Sequence, residues 1–542
     1  SYPAPPPYWN GSGSGDGCDF GNTAANPDDA PFACNNKLIG AYDFTDTYKA
    51  VVGLTPTEFD SARDSNGHGT HTLTTAAGNK QVHASIYGID RGKVSGVAPR
   101  AHVVAYKGCG LQGCFASDTA ASIQQAVADG VDVINYSISG GSSPYSDIVS
   151  LAMLDAYNAG TLVVPAAGND GPGADTVSHR EPWSLTVGAS TPDRAFTSTV
   201  DLVADRGATL QLHGASVTPG IRSSTPVVFA PGGAGDLCLT PFPPGTFDGE
   251  IVICQRGAIS RVAKSYNVAA GGAGGMLLYN PTPEGVATDN HFVPTVHLEA
   301  DEGARLIAFV EGNASVTGTF TTGKRTHVQG DVIAPFSARG GPGQTLGVSK
   351  PDVVAPGVQI LAGMTPLPED VNGGFPGQLF QSIQGTSMSA PHATGSAALI
   401  RGVNPDWTPG QIKSALMLTA RWQQVTVPAD PLADGNGGTP ANWFDMGSGR
   451  IDPHLAAEVE LTMDAPGEDF LTLQDDLWEA NTPSIYVPEF GGRLVVERTF
   501  ANDGSQPGSW KLQARTPSDL IVRFPVTLEV PATGRADLRI KV

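Results

Sequence analysis

Gly385-Thr386-Ser387-Met388-Ser389-Ala390-Pro391-His392 places a serine among small residues immediately ahead of an apolar, alanine-rich run over 393–400. The run predicts a helix, with the serine at its N-terminus. There the first N–H groups lack an internal partner and carry the positive end of the helix dipole, so they favour the negative charge that develops when a serine oxygen attacks a carbonyl. Glycine and serine neighbours leave room for a substrate backbone to come close. Taken alone, the stretch also suits a serine, Ser387 or Ser389, that merely caps a buried helix.

A second stretch, Asn66-Gly67-His68-Gly69-Thr70-His71-Thr72, sets a histidine between two glycines ahead of a small-residue helical run over 73–77. A metal pair would need further ligands, but the Glu of His-Glu-x-x-His is absent and no ligand cluster follows. A general base fits these residues better. A third stretch, Ala166-Ala167-Gly168-Asn169, follows the apolar run 161–164. Together the three resemble the signatures of the subtilisin-like serine proteases (subtilases), and the order His68, Asn169, Ser387 agrees with the subtilisin order of Asp, then His, then Ser.

That resemblance implies acyl transfer to Ser387 and then hydrolysis, with His68 as general base. Asn169 and the Ser387 N–H would hold the oxyanion. Ser137-Ile138-Ser139-Gly140 resembles the family strand that pairs with an extended substrate, and Ala166, Ala167 and Gly168 would line the pocket for the residue before the cut. His71 and His392 read as structural. No cofactor is expected and no metal site is predicted: the family includes calcium binders, yet no loop here has clear ligand spacing.

The family's aspartate ends an apolar strand in an Asp-Thr-Gly or Asp-Ser-Gly turn, and no such turn precedes His68. The acids upstream are Asp16, Asp19, Asp28, Asp29, Asp43, Asp46, Glu58, Asp60 and Asp64, the last belonging to the histidine motif itself. Residues 1–9 resemble the segment after the aspartate strand in plant-type subtilases, so an N-terminal segment supplying the catalytic Asp is an expected partner. In subtilisin, loss of that carboxylate alone costs about 3 × 10⁴ in kcat.

A net charge of −21 argues against a nucleic-acid partner, whose phosphates would repel it. Hydrophobic residues make up 40% of the 542, too many for a disordered chain, yet no apolar run is long enough to span a bilayer. The N-terminus does not read as a signal peptide. Six cysteines permit 15 connectivities. Spacings that recur in plant-type subtilases favour Cys18 with Cys34, Cys109 with Cys114 and Cys238 with Cys254. Such bonds imply an oxidising compartment, hence a secreted protein, and the family resemblance implies polypeptide substrates.

Alternating strand-like and helix-like runs predict an α/β fold, and the resemblance makes this a subtilisin-like parallel sheet flanked by helices. Strand character falls at 101–105, 131–137 and 161–165, with helices at 117–128 and 151–158. The pattern breaks near 202–207 and resumes near 332. Between them, strands at 249–254, 274–280 and 294–298 and a helix at 259–269 resemble the protease-associated domain inserted in many subtilases. The core returns with the family signature Lys350-Pro351-Asp352-Val353-Val354-Ala355-Pro356-Gly357, a helix following at 409–419. Beyond 461, Val526, Leu528 and Val530 alternate with Thr527 and Glu529, as in a half-buried strand. That block resembles the fibronectin-III-like C-terminal β-domain, a β-sandwich. The expected division is 1–204 and 331–460 for the catalytic domain, 205–330 for the insert and 461–542 for the β-domain. Two other classes remain open: a binding protein on a decayed protease core, and an ester or lipid hydrolase, which would lack the usual Gly-x-Ser-x-Gly elbow.

Overall fold

The computed structural model describes residues 19–141, 143–428 and 437–542. Three parallel strand pairs underlie the histidine and serine motifs: Leu38–Asp43 with Val103–Lys107, Val133–Tyr136 with Leu162–Pro165, and Val187–Ser190 with Val353–Pro356. Parallel pairing of the first two follows from intervening helices that return the chain to the same edge, His68–Ala77 in the first and Ile148–Asn158 in the second. A bridge between Ala166 and Val187 joins the second pair to the third.

The helix Thr386–Val403 lies across the second and third pairs. It presents Ala390, Ala393, Ala397 and Ile400 to Leu162, Val164, Val187, Val353 and Ala355, all buried. Alanines on that face let the helix sit close to the β-branched strands, and each buried Val, Leu or Ile there contributes about 1.5–3 kcal/mol.

Burial differs among the strands. Leu162–Pro165 and Val187–Ser190 are buried throughout. All of Val103–Lys107, and three residues of Val133–Tyr136, are only half-buried. Among the described residues no ladder joins the pair Leu38–Asp43/Val103–Lys107 to the pair Val133–Tyr136/Leu162–Pro165. The helix His68–Ala77 packs against both Val103–Lys107 and Val133–Tyr136.

A separate eight-stranded sheet holds the strands Ile251–Gln255, Gly275–Tyr279 and Thr295–Leu298 and carries the helix Arg261–Ala270. It begins at the strand Arg194–Ala204, ahead of the expected boundary at 205, and the pairing of that strand with Thr209–Ala215 closes the sheet on itself. Its apolar interior runs through Leu202, Leu212, Ile253, Leu277 and Val296.

Toward the C-terminus, Leu461–Thr462, Val495–Asn502 and Arg535–Lys541 form one antiparallel sheet, and Gly508–Lys511 with Thr527–Val530 another. Leu528 and Val530 point inward while Thr527 and Glu529 face out, as the alternation requires. Val526 departs from it: the strand starts one residue later, and Val526 is 70% exposed. Cys109 is bonded to Cys114, and Cys238 to Cys254. Cys18 lies outside the described residues.

Candidate active site

Ser387 occupies the first turn of its helix and is half-buried, whereas Ser389 is fully buried with an unpartnered hydroxyl. Exposure therefore separates the two serines, leaving Ser387 as the one open to an incoming group. Pro391 lies within the same helix. Lacking an N–H, it leaves the carbonyl four residues earlier, that of Ser387, without its helical partner. Ser137 fills the gap: its Oγ donates to Ser387 O at 2.8 Å, and Ser387 Oγ donates in return to Ser137 O at 3.2 Å. Asn135 Nδ2 steadies the Ser137 hydroxyl at 3.0 Å.

Asn169 is fixed by the start of the same helix. Its Oδ1 accepts from Thr386 N at 2.9 Å and from Thr386 Oγ1 at 3.0 Å. A backbone N–H can only donate, so the amide oxygen must face Thr386 and the amide nitrogen is turned away from it. Thr386 Oγ1 in turn accepts from Gly168 N at 3.1 Å. Ser137–Gly140 and Ala166–Gly168 continue from the adjacent strands Val133–Tyr136 and Leu162–Pro165, at the C-terminal edge of the sheet where α/β folds bind ligands. Ser139 and Gly140 are exposed; Ala166, Ala167 and Gly168 are buried.

His68 opens its helix after Gly67, whose φ of 96° is left-handed. A side chain at Gly67 is excluded twice, because a Cβ would also stand 2.1 Å from Met364 Sδ. Asp64 holds the turn. Its Oδ1 accepts from Gly67 N at 2.8 Å and its Oδ2 from Thr70 N at 2.7 Å and Thr70 Oγ1 at 2.6 Å. Burial lowers the His68 pKa, partly opposed by the Asp64 charge, so the ring is kept neutral and able to take a proton. The His68 helix packs directly on the Ser387 helix. The Ser387 hydroxyl bonds to Ser137, however, not to the imidazole.

His71 is fully buried, donates from Nε2 to Ile360 O at 2.9 Å, and is driven by burial down to about 3. His392 Nδ1 donates to Met388 O at 2.8 Å within its own helix. Both rings are thus engaged with backbone.

The upstream carboxylates have other partners. Asp43 does end a strand, but it accepts from Thr45 Oγ1 at 2.6 Å and pairs with Lys49 at 2.8 Å. Asp60 also pairs with Lys49, Asp29 with Ser61 and Arg63, and Glu58 with the N–H groups of Thr55 and Leu111. Among the described residues none of these is hydrogen-bonded to the His68 ring.

Motif reading missed the role of Ser137 as partner of the Ser387 carbonyl, and that of Thr386 in orienting Asn169. The signal for the first was available in Pro391, which announces a free carbonyl four residues upstream.

Comparison with known proteins agrees with this geometry. The Subtilase family matches residues 33–447. The chain is similar to the subtilisin-like proteases SBT1.3 and SBT1.5 of Arabidopsis thaliana, at 39% and 38% identity over 82% and 83% of its length. It spans 59% and 61% of those two relatives. Similarity to SBT5.4 of the same plant is 34% identity over 93% of this chain and 70% of the relative.

Proposed function

The chain belongs to the subtilase family, and on that premise we propose that it is a serine endopeptidase cleaving polypeptides through an acyl-enzyme on Ser387. The observation that carries this reading is the locked Asn169 amide beside Ser387 at a helix start, since it fixes a donor ahead of reaction. His68 takes the Ser387 proton as the hydroxyl turns from Ser137 O toward the scissile carbonyl, and later gives it to the leaving amine. Asn169 Nδ2 and the Ser387 N–H stabilise the oxyanion. Residues 137–140 pair with the extended substrate, and Ala166, Ala167 and Gly168 line the pocket before the cut.

The aspartate comes from a strand seated between Val103–Lys107 and Val133–Tyr136. Support lies in the half-buried state of those two strands, the missing ladder between their sheets, and the His68 helix resting on both. A strand there would complete the hydrogen bonding of both and carry a carboxylate beneath the imidazole. The eight-stranded sheet is the protease-associated insert, and the antiparallel sheets after 461 the fibronectin-III-like domain. Two local disulfides favour an extracellular setting. No helix among the described residues is long and apolar enough to cross a membrane.

Labelling tests the assignment. With the aspartate strand supplied, a fluorophosphonate should modify Ser387, and His68→Ala should suppress the reaction, because without the base the hydroxyl stays protonated and weakly nucleophilic. Labelling at another serine overturns it.

A further inference from the structure

Beneath residues 137–140 runs a segment carrying His179 and Glu181, 1% and 0% exposed. His179 Nδ1 is 3.0 Å from Glu181 Oε1, and His179 Nε2 is 2.8 Å from Ile138 O. A carbonyl only accepts, so Nε2 carries a proton. Ser150 Oγ donates to the same Glu181 Oε1 at 2.7 Å, as befits an ionised carboxylate, so Nδ1 carries a proton too. With Glu181 ionised, as its lowered pKa requires, both bonds are made together only by the imidazolium. The ring meets Tyr136 edge-on at 5.5 Å, and a Cβ at Gly140 would come 2.3 Å from its Cε1. Backbone therefore lies directly upon the ring. The 137–140 segment is fastened at two points: at Ser137 by exchange with Ser387, and at Ile138 by His179.

We infer that the His179–Glu181 ion pair is a positioning unit that sets the segment 137–140 for pairing with an extended polypeptide, and that it makes polypeptide affinity fall when the imidazolium loses its proton. This rests on the endopeptidase reading, in which that segment binds substrate. Neither residue touches substrate; they act through Ile138 and Gly140. On deprotonation one ring nitrogen becomes a lone pair facing an acceptor, and either Ile138 O or Glu181 loses its bond.

The surrounding groups define the pH window. Burial works against the charged ring, but the Glu181 carboxylate and the Ile138 carbonyl outweigh it, and the His179 pKa lies above its usual 6.5. Lys350, paired with Asp352 alongside Lys413, acts in the opposite sense. Burial likewise disfavours the Glu181 charge, yet His179 and Ser150 bring its pKa below 4.5. Asp147 reaches the cluster through Ser150, and Tyr136 closes the remaining side. A raised histidine pKa means the bond set is complete below 6.5 and is lost as pH rises through the folded value. At the acid end it is lost as pH falls through the depressed Glu181 value.

Two measurements on the full chain test this. With ¹⁵N-labelled histidine, and His179→Gln to assign the signal, the His179 ring should be more than half doubly protonated at pH 6.5. Glu181→Gln, nearly isosteric but uncharged, should move its deprotonation to lower pH. Binding of a fluorescent polypeptide with one reduced, uncleavable peptide bond should weaken about tenfold across the wild-type titration, the order of one charge-assisted hydrogen bond. In Glu181→Gln the weakening should follow the ring to lower pH. A ring mostly neutral at pH 6.5, or affinity that ignores the ring's titration, overturns the inference, and the wild-type titration decides this even if a variant fails to fold. If fluorophosphonate labelling of Ser387 succeeds while affinity stays flat, the positioning role alone has failed. If affinity tracks the ring but Ser387 never reacts, the hydrolase reading fails and the positioning role stands.

Discussion

Two of the strands behind Ser387, Leu162–Pro165 and Val187–Ser190, are buried along their length, while Val103–Lys107, under His68, is half-buried at every residue. Both regions use the same parts, a parallel strand pair and a helix whose first turn bears a reactive side chain. On the serine side the Ser387 carbonyl has Ser137, Asn169 has Thr386, and the sheet has an alanine face. On the histidine side Asp64 completes the turn, yet no described carboxylate meets the ring. The serine turn is thus finished by distant positions of this same chain, Ser137 among them, whereas the His68 ring has no hydrogen-bonded carboxylate among the described residues.

The largest effect that can break this contrast is Ser387→Ala, which in a form extended through the aspartate strand should lower peptide turnover by about 10⁶. Turnover surviving that change would show that the serine side is not the reacting side. Next is the strand itself. The 542-residue chain should hydrolyse a peptide at least about 10³-fold more slowly than the extended form, and full activity in the short chain would mean that one of the upstream acids already serves His68. Thermal melting separates the two contributions: an extended form with its aspartate changed to alanine should match the short chain in rate but melt later, since it retains the strand's burial.

Asn169→Ala comes third. It should lower kcat by about 10² to 10³ with little change in KM, because the amide acts on the oxyanion rather than on bound substrate. A pure KM effect would move Asn169 into substrate binding. The smallest effects compare the two helix turns directly. Ser137→Ala leaves a buried carbonyl without a donor and should destabilise by about 1 kcal/mol, read from the denaturation midpoint. Asp64→Ala removes a cap from the His68 turn and should cost about 0.5–2 kcal/mol. If Asp64→Ala also abolished activity far beyond its effect on stability, the carboxylate would be doing more than holding the turn.

Much of the site was legible because its motifs are made of small residues whose presence is forced by close approach, as at Gly67 against Met364. The strands and helices around them followed from apolar runs, with ends displaced by up to three residues, as at Ile148 where the helix expected from 151 begins. What the sequence concealed were pairings between distant positions. The 250-residue separation of Ser137 from Ser387 leaves no local pattern, and His179 looks like any loop histidine until Ile138 is set above it. The start of the eight-stranded sheet at Arg194 was hidden for a related reason: one long strand serves several partners, and its apolar content does not reveal which sheet owns it.

Pro391 also bears on the order of assembly. A helix with a proline in its second turn cannot close its first turn by itself, so the residues around Ser387 acquire their geometry only when Ser137 arrives from a strand formed 250 positions earlier in the chain. The Ser387 carbonyl therefore finds its donor only through tertiary contact, and the shape of this helix start is a property of the assembled sheet rather than of the segment itself.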